Sequence, residues 1–194
     1  MREKPSIVFL IGKQMFRMAF GLLYRWHIEG MENIPQSGGA VIAPNHIGFF
    51  DSPLVASAMK RPAYFMGKKE LFDIPIFGWI IRRTNAFPIK RGSQDIIAMR
   101  NTFSILKNGH LLLMFPEGVR SKDGKIGKAK AGVGMAACNT QVPLIPVKIE
   151  NTDAMLKFRQ IKVKFGQPIY PPKNFVKNDY ISLSKKVLDI IAEM

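Results

Sequence analysis

Apolar residues in this chain alternate between short solid runs and helical stripes. Residues 40–43, 111–115 and 142–149 are nearly continuous apolar runs, the pattern of strands covered on both faces. Residues 26–30, 63–66, 86–89 and 161–165 read as shorter strands. Between them the period changes. Ile97, Met99, Phe103 and Leu106 supply the packing face of a helix over 94–107, closed by Asn108-Gly109. Residues 51–59 and the small-residue stretch 129–139 read as helices. Residues 68–82 read as two short helices interrupted by Pro75. Tyr180, Leu183, Val187, Ile190 and Ile191 form one face of a C-terminal helix. Strands alternating with helices predict a single α/β domain with a largely parallel mixed sheet flanked by helices. Ligand sites of such sheets lie where strands end and loops begin.

The N-terminal stretch is different in kind. Ile7, Ile11, Met15, Met18 and Leu22 follow helical spacing, and Phe9, Phe16, Phe20 and Leu23 widen the stripe. Lys13, Gln14, Arg17 and Arg25 interrupt what would otherwise be a membrane span, and no small-x-small cleavage pattern marks a signal peptide. A basic, aromatic-rich amphipathic helix suits the lipid interface, with Phe9, Phe16 and Phe20 supplying apolar depth and Lys13, Arg17 and Arg25 meeting anionic headgroups. The same stripe also suits a helix packed on the domain. The expected division is a membrane-associating helix over 1–26 and a catalytic α/β domain over 27–194.

Composition narrows the partners. At 194 residues, 47% hydrophobic and 22% charged, the chain can bury a full core and is not disordered by composition. One cysteine, Cys138, permits no intrachain disulfide and suits a reducing compartment. The 29 Lys and Arg against 14 Asp and Glu leave +15, which favours phosphates, anionic lipid, nucleic acid or an acidic carrier protein.

Four strand ends carry the candidate chemistry. Asn45-His46-Ile47-Gly48-Phe49-Phe50-Asp51 follows an apolar strand and opens a helix. A carboxylate on one imidazole nitrogen fixes the tautomer and leaves the other nitrogen as a base. Two ordinary roles fit the same residues: a helix cap for Asp51 and a plain loop position for His46. Phe115-Pro116-Glu117-Gly118-Val119-Arg120-Ser121 ends a second strand and leads into Lys122, Lys125, Lys128 and Lys130. Glycine permits close backbone approach and arginine can clasp a phosphate, although a solvated basic loop has the same composition. Ala86-Phe87-Pro88-Ile89-Lys90-Arg91-Gly92 delivers two cations, and Val142-Pro143-Leu144-Ile145-Pro146-Val147 is an apolar wall.

Together these segments resemble the glycerophospholipid acyltransferases of the 1-acylglycerol-3-phosphate acyltransferase type. Their blocks run Asn-His-x-Ser-x-x-Asp, a block of form Gly-x-Phe/Ile-x-x-x-Arg, Phe-Pro-Glu-Gly-Thr-Arg-Ser, and Val-Pro-x-x-Pro-Val. All four occur here in order between Asn45 and Val147, with Gly48, Asn85 and Val119 in place of serine, glycine and threonine. The resemblance implies His46 as general base and Asp51 as its orienting acid. It implies Asn45, Arg91, Glu117, Gly118 and Arg120 at the acceptor's glycerol phosphate, where Glu117 would accept a glycerol hydroxyl or hold an arginine. Pro143 and Pro146 would shape the acyl-donor pocket. It further implies direct acyl transfer to the sn-2 hydroxyl of 1-acyl-sn-glycerol 3-phosphate, giving phosphatidic acid. No metal or cofactor would be required, with acyl-CoA or acyl carrier protein as co-substrate. The enzyme would work as a peripheral or monotopic protein on the cytoplasmic face of an anionic membrane. Glycerol 3-phosphate or another lysophospholipid is the alternative acceptor within the same chemistry.

Other classes fit less well. A nucleic-acid-binding module accounts for the charge but not for the strand-end His/Asp pair, and no nucleic-acid partner is expected. Gly132-Val133-Gly134 follows a lysine-rich loop rather than a strand, unlike a dinucleotide fingerprint. His27 and His110 have no partner at zinc-site spacing. Cys138 lies outside all four blocks and has no adjacent base in sequence.

Overall fold

A computed structural model of the chain describes residues 5–90, 95–121 and 123–194. Seven strands form one sheet: β1 His27–Glu29, β2 Ala40–Pro44, β3 Ala63–Lys68, β4 Ala86–Ile89, β5 Leu111–Leu113, β6 Leu144–Glu150 and β7 Lys162–Phe165. Their order is β1-β7-β6-β2-β5-β3-β4, and every pair is parallel except β6–β7. The exception has a local cause. Residues 151–161 between β6 and β7 contain only a three-residue 3-10 turn, too short for the helical crossover that parallel strands need. β2 lies mid-sheet with all five residues buried, as its solid apolar run requires.

Helices α1 Ile7–Tyr24 and α2 Asp51–Ala58 cover one face of the sheet. Helices α4 Ile96–Lys107, α5 Gly132–Thr140 and α6 Lys177–Glu193 cover the other. The short α3 Pro75–Ile81 begins at the proline that divides residues 68–82. Asp95 caps α4, accepting from the Ala98 N–H at 2.9 Å. Gly134 is needed for packing: a Cβ there would stand 2.0 Å from the Tyr180 carbonyl oxygen of α6. Gly134 in α5 therefore serves helix contact.

The α1 stripe divides into two faces. Phe9, Phe20 and Tyr24 are buried, with Phe16 packed beside them and 6.1 Å from the Phe50 ring. Lys13 Nζ donates to the Met59 and Lys60 carbonyls at 2.6 and 3.2 Å, and burial, followed by the nearby Arg17 charge, lowers its pKa. These residues are thus engaged with the domain, a correction to the expectation that Phe9, Phe16, Phe20 and Lys13 face lipid. The aliphatic stripe Ile7, Ile11, Met15, Met18 and Leu22 remains 54–77% exposed. By length and composition alone α1 is apolar enough to cross a membrane despite its internal charges, and its aromatic face is already occupied by the domain.

Phe20→Ala is expected to lower the unfolding free energy by about 3–5 kcal/mol, the usual loss for a buried phenylalanine. Ile11→Ser, on the outer face, is expected to change it by less than about 0.5 kcal/mol. Urea unfolding followed by circular dichroism checks both.

Candidate active site

The site gathers at the carboxyl edge of the sheet, where β2, β5 and β6 deliver their following loops side by side. β2 ends at Pro44 and the chain turns through His46 into α2, whose first residue is Asp51. His46 Nδ1 donates to Asp51 Oδ2 at 2.8 Å. The same oxygen accepts the Ile47 and Gly48 N–H groups, each at 2.8 Å. Asp51 Oδ1 accepts from Thr152 Oγ1 at 2.5 Å. Asp51 is fully buried, so these four donors replace the water its charge has lost. It caps the loop and orients the imidazole at once. The His46 ring stacks on Phe115 with centroids 3.8 Å apart, and its side chain keeps 12% exposure. Nε2 has no hydrogen-bond partner among the described residues.

Glu117 fixes the other side of the same loop. It is buried, and its carboxylate accepts the His46 N–H and the Gly127 N–H, both at 2.8 Å. Neither the hydroxyl-binding nor the arginine-holding role describes these contacts: the carboxylate ties the loop after β5 to the backbone of His46. Burial raises the Glu117 pKa, against the lowering effect of the two backbone donors and of His46. The Ser121 N–H donates to the His46 carbonyl at 2.8 Å, so both backbone polar groups of His46 are held by this one loop. Gly118 closes a turn with its N–H 3.0 Å from the Phe115 carbonyl and φ at +67°, a conformation that favours glycine. Arg120 is exposed immediately before Ser121.

The remaining expected residues are dispersed. Asn45 uses both ends of its amide on β6, donating to the Ile149 carbonyl at 3.0 Å and accepting its N–H at 2.7 Å. It clips two strands rather than facing a ligand. Arg91 lies outside the described residues. Pro143 precedes β6, where its carbonyl accepts the Val41 N–H at the start of β2. Parallel pairing therefore sets it toward the sheet's amino edge, at the opposite end of β2 from His46. Pro146 is buried within β6, level with Ala43. Burial raises the pKa of Cys138, which lies on the α4–α6 side of the sheet, an inert setting for a thiol. Among the described residues no three His, Cys, Asp or Glu side chains gather as a metal site.

Two features escaped the sequence. Thr152 reaches Asp51 from 101 positions away, and no local pattern announces it. Phe49 and Phe50 stand exposed in the loop that carries His46, ring centroids 5.2 Å apart, and the signal for them was two adjacent aromatics immediately before a helix start.

A histidine oriented by a buried carboxylate at the carboxyl edge of a parallel sheet defines an α/β domain equipped to draw a proton from a hydroxyl. The comparisons with known proteins agree on the family. A family model described as Acyltransferase matches residues 25–150, and the chain belongs to that family. The chloroplastic 1-acyl-sn-glycerol-3-phosphate acyltransferase of Arabidopsis thaliana is 32% identical over 161 residues, covering 77% of this chain and 45% of its own. The 1-acyl-sn-glycerol-3-phosphate acyltransferase of Salmonella typhimurium is 32% identical over 166 residues, covering 82% of this chain and 66% of its own. The crystal structure of the 1-acyl-sn-glycerophosphate acyltransferase PlsC from Thermotoga maritima superposes with a TM-score of 0.79 at 29% identity, covering 95% of this chain and 77% of that one. The chain spans about half the length of the first curated relatives it matches.

Because burial raises the Glu117 pKa above its ordinary 4.5, the folded chain holds that proton more tightly than the unfolded chain. The resulting stabilisation is complete below that ordinary value and is lost as pH rises through the folded one. Glu117→Gln removes it. The unfolding free energy of the wild type minus that of the variant is therefore expected to fall with rising pH across this window, measured by urea titrations from acid to neutral pH.

Proposed function

We propose that the chain transfers a fatty acyl group from an acyl thioester, either acyl-CoA or acylated carrier protein, to the sn-2 hydroxyl of 1-acyl-sn-glycerol 3-phosphate. The product is phosphatidic acid, and the step belongs to phospholipid synthesis. The observation that carries this reading is the 2.8 Å contact between His46 Nδ1 and buried Asp51, with Nε2 unpartnered among the described residues. Nε2 takes the acceptor's hydroxyl proton as the oxygen attacks the thioester carbonyl. Asp51 stabilises the imidazolium so formed. Collapse of the tetrahedral intermediate breaks the carbon–sulfur bond, and the proton passes from the imidazolium to the departing thiolate. No covalent acyl-enzyme is involved, which accords with a buried, protonated Cys138. The activity printed in the names of the curated relatives supports the choice of acceptor.

The acceptor's phosphate meets Arg120, exposed on the loop whose Ser121 N–H donates to the His46 carbonyl, and Arg91, both on the strength of the motif resemblance. The acyl chain enters past Phe49 and Phe50. The membrane contact is the aliphatic face of α1, with exposed Arg17 and Arg25 at anionic headgroups, on the cytoplasmic leaflet. Its apolar surface continues toward α3, where Ile76, Trp79 and Ile80 are exposed, because the Ser6 hydroxyl at the start of α1 donates to the Arg83 carbonyl.

His46→Ala is expected to lower turnover by ~10²–10⁴-fold with the circular dichroism spectrum unchanged. The assay is a matrix of donors against acceptors, including glycerol 3-phosphate and other lysophospholipids, read by mass spectrometry. Retention of more than a few per cent of turnover would remove His46 as the base. Met15→Asp combined with Leu22→Asp is expected to reduce flotation with anionic vesicles. It is also expected to lower activity on vesicle-embedded acceptor while sparing a short-chain soluble one. Unchanged flotation would move membrane docking away from α1.

A further inference from the structure

The imidazole touches only one of the two Asp51 oxygens. Oδ2 receives His46 Nδ1 and the two loop N–H groups, while among the described residues Oδ1 receives Thr152 alone. Thr152 is buried in the connection between β6 and β7, and its hydroxyl donates at 2.5 Å. The same residue lies against Gly48. A Cβ built on Gly48 would stand 2.5 Å from the Thr152 carbonyl oxygen, 2.6 Å from its Cβ and 2.7 Å from its Oγ1. The space next to Asp51 that a side chain at 48 would enter is therefore filled from the opposite segment. Position 48 is also where the motif departs from the family pattern, with glycine in place of serine.

We infer that Thr152 is a positioning residue of the His46–Asp51 pair, supplying from the β6–β7 connection a hydroxyl beside Asp51 at the place that residue 48 leaves empty. A carboxylate bonded at one oxygen can swing about its Cβ–Cγ axis. Bonded at both, it holds one plane, and that plane fixes the Nδ1–H direction and hence the aim of Nε2. Without the hydroxyl, Oδ1 becomes a buried charged acceptor with no donor, and the carboxylate turns to recover one. Glycine at 48 follows from the same contact, since the nearest obstacle is a backbone carbonyl that cannot move aside as a side-chain tip does.

This inference rests on the reading of His46 as the base, and the tests separate the two. Thr152→Val, which keeps the shape and removes the hydroxyl, is expected to lower kcat by about 10–100-fold, the usual weight of a hydrogen bond to a buried charge, with both KM values unchanged. Thr152→Ser should recover most of the turnover. Thr152→Ala, made in parallel, carries the same expectation as the valine variant without its added methyl in place of the hydroxyl. Gly48→Ser, although it restores the family residue, should lower both stability and turnover. A readout free of activity is the low-field proton resonance of His46 Nδ1–H, expected to shift in Thr152→Val and to be retained in Thr152→Ser. Wild-type kcat and an unmoved resonance in Thr152→Val, with His46→Ala inactive, would overturn the role of Thr152 alone. An equal loss in the valine and serine variants, with both KM values raised, would make Thr152 a packing residue. An active His46→Ala would overturn the base and this role together, even if the resonance still moved.

Discussion

Asp51 is a carboxylate with no exposed surface at the amino end of a helix, and the rest of the site is arranged to keep it charged there. Removing an ionised carboxylate from water is costly unless donors surround it. Here the donors come from three directions: the imidazole of His46, two consecutive backbone N–H groups of its own loop, and a hydroxyl from the β6–β7 connection. The first turn of α2 adds its favourable dipole. Satisfying this one group sets the conformation of residues 46–51, the tautomer of His46 and the approach of the loop after β6. The direction in which Nε2 points depends on a burial problem solved at Nδ1.

Glu117 repeats the arrangement from the neighbouring strand. Its two oxygens join the amide of His46 to the amide of Gly127, so the loop after β5 cannot move without moving His46. The two buried carboxylates hold opposite sides of one histidine: Asp51 its ring, Glu117 its backbone. The Phe115 ring closes the third side. The segments after β2 and β5 thus hold the imidazole and its backbone on three sides, a rigid support.

The same economy of faces governs α1. Its aromatic residues pack on the sheet and α2, and Lys13 caps the end of α2, while the aliphatic residues about half a turn away, on the opposite side of the helix, face outward. Phe16 and Phe50 join this helix to the loop that carries His46. The helix and the His46 loop are thus packed as one unit, with the aliphatic face of α1 turned away from that contact.

The solid apolar runs determined the strands and the helical stripes determined the helices, because period and burial are written locally. The parallel sheet followed from their alternation. The pairing of His46 with Asp51 was also legible, because four intervening residues confine both groups to one turn. What the sequence left open was decided by contacts across the chain. Glu117 stood in a recognisable motif, but its partners, the amides of His46 and Gly127, were set only when β2 and β5 became neighbours. Asn45 and Pro143 shared motifs with the site residues, yet strand register turned one toward β6 and carried the other to the far edge of the sheet. Thr152 had no motif at all. Its hydroxyl meets Asp51 because β6 lies parallel to β2 and ends at the same edge, a proximity created by the fold and invisible to any pattern of neighbours along the chain.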